Sequence, residues 1–196
     1  MNSASPIRDP EHIKLLKDFY RYKHPNFRNY VMIVIGLNTA LRISDILPLT
    51  WDDVYDFTLG IYRKHICLRE KKTGKKQVIL INAHILAALK EYEQILSEQS
   101  TPIYPEKYII SHTNRNEPIS RIQAHRILQL ATDESKIPHK ISCHSLRKTF
   151  GYHAWKKGTP PALLMKIYNH SSFEITKRYL GIDQDDKDDL FENILL

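Results

Sequence analysis

A chain of 196 residues is long enough for one substantial folded domain, and its 42% hydrophobic and 26% charged residues exclude a mainly disordered chain. The formal net charge is +7, but residues 183–196 hold six acidic side chains and one basic one, which leaves 28 basic and 16 acidic residues in positions 1–182. A net charge of +12 on that part suits a polyanionic partner such as nucleic acid. A basic solubilising surface is the alternative.

The sequence does not indicate membrane insertion or secretion. The longest apolar stretch, residues 30–41, is interrupted by Asn38 and Thr39 and is too short to cross a bilayer. The first residues lack the apolar core of a signal peptide. Cys67 and Cys143 show no C-x-x-C spacing and make no disulfide framework, which fits a reducing compartment. We therefore expect a cytoplasmic protein that does not associate with membranes.

The order of apolar and polar residues predicts a mainly α-helical domain with one small antiparallel β-sheet, an α+β fold. Helices are expected after Pro10 and over residues 26–41, and Ser44 is expected to N-cap a short third helix. A β-hairpin of residues 60–68 and 76–81 follows, closed by a polar, glycine-containing turn. The remaining helices are predicted over residues 83–99, 120–133, 142–157, 160–169 and 172–180, with an acidic tail helix from residue 185.

The first candidate site residue is Arg42, which stands at the end of an apolar helix in the sequence Thr-Ala-Leu-Arg-Ile-Ser-Asp. A charge in that place needs a partner. Arg42 could reach the surface, pair with Asp45 three residues later, or serve a functional site, and this block alone leaves all three open.

The second candidate block pairs His144 with Arg147, which the i, i+3 spacing places side by side on one helical face. An imidazole beside a guanidinium can hold a phosphate while a proton moves. Two surface residues on a basic helix are the alternative. A zinc site of His139, Cys143 and His144 lacks a fourth ligand at normal spacing, so no metal is expected.

The third block, residues 169–179, contains His170 and Tyr179. His170 could simply end a helix. Tyr179 could be an ordinary amphipathic residue, since the chain has 11 tyrosines.

In their order, the three blocks resemble the tyrosine recombinase (phage integrase) family. The segment T-A-L-R-I-S-D-I-L resembles the first arginine box, H-S-L-R-K-T-F the H-x-L-R-H-T-F box, and N-H-S-S-F-E-I-T-K-R-Y the G-H-S-S-x-x-x-T-x-x-Y box. The resemblance covers roughly residues 11–182. Its departures are Asn169 in place of the usual glycine and Lys148 in place of the usual histidine.

The family's catalytic lysine lies in a β-hairpin turn, and Lys72-Thr73-Gly74-Lys75 before an apolar strand is similar to that turn. We assign Lys72 as this lysine, with Lys71 and Lys75 as alternatives. Lys71, Lys75 and Lys76 are expected to follow the DNA backbone.

The resemblance implies the tyrosine recombinase catalytic-domain fold and a role for each matching residue. Tyr179 would attack a DNA phosphodiester and form a 3′-phosphotyrosyl bond. Arg42, Arg147 and His170 would stabilise the charge that grows on the phosphate. His144 would be the general base and Lys72 the acid for the leaving 5′-oxygen. Asp45 would orient Arg42. The covalent bond conserves energy, so no cofactor is expected.

The domain organisation is expected to be a linker-like segment (residues 1–10), a catalytic domain (11–182) and an acidic tail helix (183–196). The tail could fold back on its own domain or pack on a neighbouring subunit. The expected partners are double-stranded DNA and further copies of the chain, as a dimer or tetramer on DNA. The chain is either a fragment that lacks an N-terminal DNA-clamping domain or a compact recombinase.

The implied function is site-specific recombination of mobile DNA, by integration, excision or inversion. Two alternatives remain at this point: a type IB topoisomerase, which relaxes supercoils by similar chemistry, and a DNA-binding module of the same fold without catalysis.

Overall fold

A computed structural model describes residues 4–182, 191, 192 and 194 of the chain. The mainly helical α+β class predicted from the sequence is confirmed. In chain order the elements are α1 (Pro10–Asp18) with a π-helical continuation (Phe19–Lys23), α2 (Phe27–Asn38), α3 (Ile43–Ile46), β1 (Tyr55–Asp56), β2 (Ile61–Tyr62), β3 (His65–Arg69), β4 (Lys76–Leu80), α4 (Ala83–Glu98), α5 (Arg121–Glu134), α6 (Cys143–Lys156), α7 (Pro161–Tyr168) and α8 (Phe173–Leu180).

Helix α2 lies at the centre of the main core and packs against α4 and α6. Asn26 caps it, because its side chain accepts a hydrogen bond from the amide of Asn29. The helix ends at Asn38, three residues before the predicted end, because Ala40 adopts a left-handed backbone with φ of 51°. This early end turns the chain towards α3 and places Arg42 beside the hairpin.

The described strands form two separate two-stranded antiparallel sheets, so the prediction of one sheet was wrong. The strand predicted over residues 60–68 is divided. Its first part, β2, pairs back with β1, since Gly60 has a φ of 68° and its amide donates to the Asp56 carbonyl oxygen at 2.8 Å. Its second part, β3, pairs with β4 in the predicted hairpin, with His65 opposite Leu80 and Arg69 opposite Lys76.

The short helix α3 begins two residues earlier than predicted. Ser44 lies inside the helix, and the N-cap position is taken by Arg42, which has an extended backbone. The Arg42 carbonyl oxygen accepts hydrogen bonds from the amides of Asp45 (2.8 Å) and Ile46 (3.1 Å). Arg42 is therefore held at a helix start, where its backbone has little freedom.

The N-terminal segment packs on α6, although the sequence suggested a linker-like segment over residues 1–10. Ile7 is fully buried, and its amide donates to the hydroxyl of Thr149 at 2.8 Å. The Ile7 carbonyl oxygen lies 2.9 Å from Nε2 of His153, and Arg8 donates to the Gly181 carbonyl oxygen at 2.7 Å. An apolar side chain with paired backbone groups on both sides fixes this segment against the domain.

The last described helices, α7 and α8, form a second small core with α6. Asn169 ends α7 in a left-handed conformation, and Ser172 caps α8 by accepting a hydrogen bond from the Ile175 amide. The sharp turn between them brings Tyr179 over Tyr168. The predicted tail helix lies outside the described residues, apart from residues 191, 192 and 194, which are exposed. In the part of the chain that the structure describes, no helix has the length and apolar character needed to span a membrane.

Candidate active site

The predicted site residues lie on separate elements that meet at one end of α6. Arg42 precedes α3, Lys72 lies in the β3–β4 turn, His144 and Arg147 lie in the first turns of α6, His170 follows α7, and Tyr179 lies in α8. The charges of Arg147 and Arg42 act on His144, His170 and Tyr179, and the charge of Lys72 acts on His144. The six residues therefore form one electrostatic neighbourhood.

Arg147 is fixed at the centre of this neighbourhood although only 2% of it is exposed. Its guanidinium donates a hydrogen bond to the Ala40 carbonyl oxygen. The guanidinium carbon lies 4.7 Å from the ring centre of Tyr168, and the Tyr168 hydroxyl donates to the Arg147 carbonyl oxygen at 2.7 Å. A buried arginine held in this way has lost its conformational freedom before any ligand binds, which favours anion binding.

The Tyr179 ring is surrounded by the rings of Tyr168 (5.4 Å between centres) and His170 (5.3 Å) and by the ammonium of Lys148 (5.0 Å). Burial raises the pKa of Tyr179, while the charge and hydrogen bonding of Arg147 and the charge of Arg42 act in the opposite direction. The net pKa is above the ordinary value of 10.0, so the phenol is protonated at neutral pH. It therefore needs a base before it can act as a nucleophile.

His144 has the properties of that base. Its partial burial and the positive charges of Arg147, Lys148, Arg42 and Lys72 all lower the pKa of its imidazole below the ordinary value of 6.5. The neutral form, which can accept a proton, therefore prevails at neutral pH.

His170 is held by the buried hydroxyl of Thr176, which lies 3.1 Å from its Nδ1. The Thr176 hydroxyl donates to the Ser172 carbonyl oxygen at 3.3 Å, so its oxygen is placed to accept a hydrogen bond from Nδ1–H of His170 and to fix the orientation of the ring. Burial, followed by the charges of Arg147 and Arg42, lowers the pKa of His170.

The carboxylate partner of Arg42 is Glu70, a residue that the sequence reasoning did not single out. Nη1 of Arg42 lies 2.9 Å from Oε2 of Glu70, and the Glu70 side chain is only 1% exposed. Burial alone would raise the pKa of Glu70, but the hydrogen bond from Thr73 and the charges of Arg42 and Arg147 bring it below its ordinary value. The signal in the sequence was a carboxylate at the end of a strand, two residues before the assigned lysine.

The expectation that Asp45 orients Arg42 differs from the structure. Asp45 is buried, and its Oδ1 accepts a hydrogen bond from the backbone amide of Lys71 at 2.9 Å. Asp45 lies in α3, where it faces the hairpin turn, while Arg42 points to Glu70. Asp45 thus anchors the turn that carries the lysines.

The hairpin lysines predicted to contact DNA, Lys71, Lys75 and Lys76, are exposed, as is Lys72. Lys72 is the hairpin lysine whose charge lowers the pKa of His144. This electrostatic coupling favours Lys72 over its neighbours as the lysine nearest the reacting groups. In the described residues, no group of three or more His, Cys, Asp and Glu side chains could hold a metal ion.

Comparison with known proteins identifies the family of the chain. The family model described as "Phage integrase family" matches residues 8–185. The probable integrase/recombinase YoeC of Bacillus subtilis (strain 168) is 40% identical over 185 residues, which cover 94% of this chain and 93% of YoeC. Several other curated relatives are longer, and the chain spans about half of them (51% and 50% in two cases).

Two solved structures share the fold. The crystal structure of XerA recombinase matches 100% of this chain and 68% of its own with a TM-score of 0.76 at 18% identity. The structure of the XerH site-specific recombinase bound to palindromic difH substrate matches 96% of this chain and 52% of its own, with a TM-score of 0.75 at 17% identity.

Proposed function

The chain belongs to the phage integrase family, and from that premise we propose that it is a site-specific recombinase that breaks and rejoins double-stranded DNA. The observation that carries the proposal is the position of the Tyr179 phenol, which lies beside the fixed guanidinium of Arg147 and within the field of Arg42. A nucleophile beside two fixed cations is suited to attack on a phosphodiester. The reaction would serve integration, excision or inversion of mobile DNA.

In the proposed cleavage step, Oη of Tyr179 attacks the phosphorus of a backbone phosphodiester. A bond forms between phosphorus and the tyrosine oxygen, and the bond to the 5′-oxygen breaks, which leaves a 3′-phosphotyrosyl link. Arg42, Arg147 and His170 bind the non-bridging oxygens, where negative charge grows in the transition state. Attack by a 5′-hydroxyl on the phosphotyrosine reverses these bond changes and rejoins the strand.

Two proton transfers complete the step. His144 removes the phenol proton, for which its lowered pKa and neutral form are suited. Lys72 gives a proton to the departing 5′-oxygen, which is a poor leaving group without one. The exposed Lys71, Lys75 and Lys76 contact the DNA backbone and contribute salt-dependent affinity.

The test uses duplexes that bind the protein, selected from a random-sequence library and nicked so that a short strand diffuses away after cleavage. We expect a covalent protein–DNA band on a denaturing gel with the wild type and none with Tyr179→Phe. Tyr22→Phe, at an exposed tyrosine, is the matched control and should form the band. No band with the wild type on DNA that it binds would instead support a non-catalytic DNA-binding module.

A plasmid assay separates recombination from the topoisomerase alternative. A recombinase joins strands from two sites and yields inverted or deleted plasmids when two copies of the selected site are present. Relaxation that is independent of the site, with no exchange of partners, would identify a topoisomerase.

We also propose a domain organisation, an assembly and a cellular location for the chain. Residues 11–182 form the catalytic domain, the chain assembles as a dimer or tetramer on DNA, and it acts in the cytoplasm, where the DNA is accessible. Sedimentation of the protein with and without the selected duplex tests the assembly. Repeating it on a chain that ends at Ile182 tests whether the tail, which is acidic and ends in apolar residues, packs on a neighbouring subunit.

A further inference from the structure

The carboxylate of Glu70 has two hydrogen-bond partners in addition to its ion pair with Arg42. Its Oε2 lies 2.9 Å from Nη1 of Arg42, and it accepts hydrogen bonds from the Thr73 hydroxyl (2.6 Å) and from Nδ2 of Asn169 (3.2 Å). A carboxylate that is almost fully buried is costly unless it is paired and hydrogen-bonded, and here it is both. The partners come from three segments: the start of α3, the hairpin turn and the end of α7.

Asn169 supplies the link from α7. It has a φ of 57° and a ψ of 40°, a conformation that glycine adopts freely and that asparagine tolerates better than most residues. Asparagine keeps the left-handed turn and adds an amide that reaches Glu70.

The two ends of this link stand next to residues of the proposed mechanism. Glu70 lies two residues before Lys72, and Asn169 lies directly before His170. The turn of the hairpin, residues 71–75, is exposed, and besides the Asn169–Glu70 bond it is held by the hydrogen bond from the Lys71 amide to Asp45 at 2.9 Å. The position of the lysine relative to the tyrosine therefore depends strongly on what holds the turn.

We propose that Glu70 and Asn169 are positioning residues that join the hairpin turn to the α7–α8 turn and so hold Lys72 in place beside the reacting groups. The guanidinium of Arg42 has further N–H groups with which to bind a phosphate while Glu70 holds Nη1. This inference rests on the proposed function, because Lys72 as the acid and Tyr179 as the nucleophile are parts of it.

The test compares Asn169→Gly with the wild type on two substrates, one with the normal 5′-oxygen and one with sulfur at that bridging position. A thiolate leaves readily without a proton, so its departure does not need the lysine. With Asn169→Gly we expect cleavage of the oxygen substrate to slow about tenfold, since a small displacement of a catalytic group has effects of this order or larger. Cleavage of the sulfur substrate should stay within about twofold of the wild type, because Arg147 and Tyr179 are untouched.

A second measurement, amide hydrogen exchange, tests the position of the turn without relying on cleavage activity. Hydrogen exchange of the amides in residues 71–75 should become at least severalfold faster in Asn169→Gly, while exchange in α5 should not change. Asn114→Gly, in an exposed loop, is the matched control and should alter neither exchange nor cleavage. Glu70→Gln keeps the size of the side chain and loses its charge, and it should slow the oxygen substrate further because Arg42 also loses its partner.

The outcomes separate this inference from the proposed function. Wild-type rates and exchange in Asn169→Gly would overturn the positioning role. Equal slowing on both substrates would also overturn it, because that result means general damage to the site. Failure of the wild type to form any covalent adduct would overturn the proposed function itself.

Discussion

The guanidinium of Arg147 lies over the ring of Tyr168 at 4.7 Å, and the Tyr168 hydroxyl donates a hydrogen bond back to the Arg147 carbonyl oxygen at 2.7 Å. Both residues are buried, so the cation–π contact is desolvated and stronger than one on the surface. The same ring packs against Tyr179. Tyr168 therefore supports the proposed nucleophile and one of its phosphate-binding cations together.

Two substitutions of Tyr168 distinguish the contribution of its hydroxyl to stability from that of its ring. Tyr168→Phe removes one hydrogen bond and should lower the free energy of unfolding by about 1 kcal/mol, measured by urea denaturation. Tyr168→Leu also removes the ring from Arg147 and Tyr179 and should cost at least about 3 kcal/mol. Equal losses in the two variants would mean that the ring does not support Arg147.

Gly151 leaves the space that Tyr168 occupies. A Cβ at this position would lie 2.4 Å from the Tyr168 hydroxyl oxygen and 2.4 Å from Cδ2 of Leu180. Alanine is favoured over glycine inside a helix by about 1 kcal/mol, but overpacking of a core costs about 1–3 kcal/mol, so we expect Gly151→Ala to destabilise. The decrease in stability caused by Gly151→Ala should be smaller in a Tyr168→Phe background, where the Tyr168 hydroxyl oxygen that it would contact is absent. An increase in thermal stability with Gly151→Ala would contradict this packing.

The hydrogen bond that holds the N-terminal segment on α6 should also contribute to the free energy of unfolding. The hydroxyl of Thr149 accepts a hydrogen bond from the Ile7 amide and donates to the Ser145 carbonyl oxygen at 2.7 Å. Thr149→Val keeps the shape but leaves a buried amide without its acceptor, so the free energy of unfolding should fall by about 1–3 kcal/mol. Thr58→Val, at an exposed position, should change it by less than about 0.5 kcal/mol. A mild effect at Thr149 would show that the segment contributes little to the fold.

The sequence allowed the family and the mainly helical fold to be predicted, and both are confirmed. The ordered boxes carry that information because each contains several residues at fixed spacing. The division of the first hairpin strand could not be predicted in this way, since it depends on how Gly60 closes a turn onto Asp56. The roles of Tyr179 and the other matching residues stay predictions.

The contacts between distant segments were the hardest to predict. Asp45, a local neighbour, was expected to orient Arg42, but the carboxylate that pairs with Arg42 is that of Glu70, which lies farther along the chain. Sequence spacing ranks partners within one helix and contains no information on which loops meet after folding. The tie between Asn169 and Glu70 spans 99 positions and was missed for the same reason.

The lowered pKa of His144 should be visible in solution. In the folded protein the pKa of the His144 imidazole lies below 6.5, because burial and the nearby cations disfavour its charged form. As the pH falls through 6.5, the unfolded chain binds this proton first, so His144 lowers stability increasingly down to its folded pKa and has no effect well above 6.5. Histidine NMR titration, assigned with His144→Gln, should give a midpoint below 6.5 that rises in Lys72→Ala. A midpoint at or above 6.5 would contradict the arrangement of cations.

Replacing the 5′-bridging oxygen of the substrate with sulfur can also show which hairpin lysine is the acid. Lys72→Ala should slow cleavage of the oxygen substrate by about a hundredfold or more, the usual contribution of a general acid, and sulfur at the bridging position should restore most of the rate. Lys71→Ala and Lys75→Ala, at exposed neighbours in the same turn, should instead weaken DNA binding and lower its salt dependence, with no preferential rescue by sulfur. Rescue in Lys71→Ala or Lys75→Ala, and not in Lys72→Ala, would move the acid along the turn. We expect Lys72 because it is the hairpin lysine whose charge acts on His144, and acid and base must both lie within reach of one phosphate.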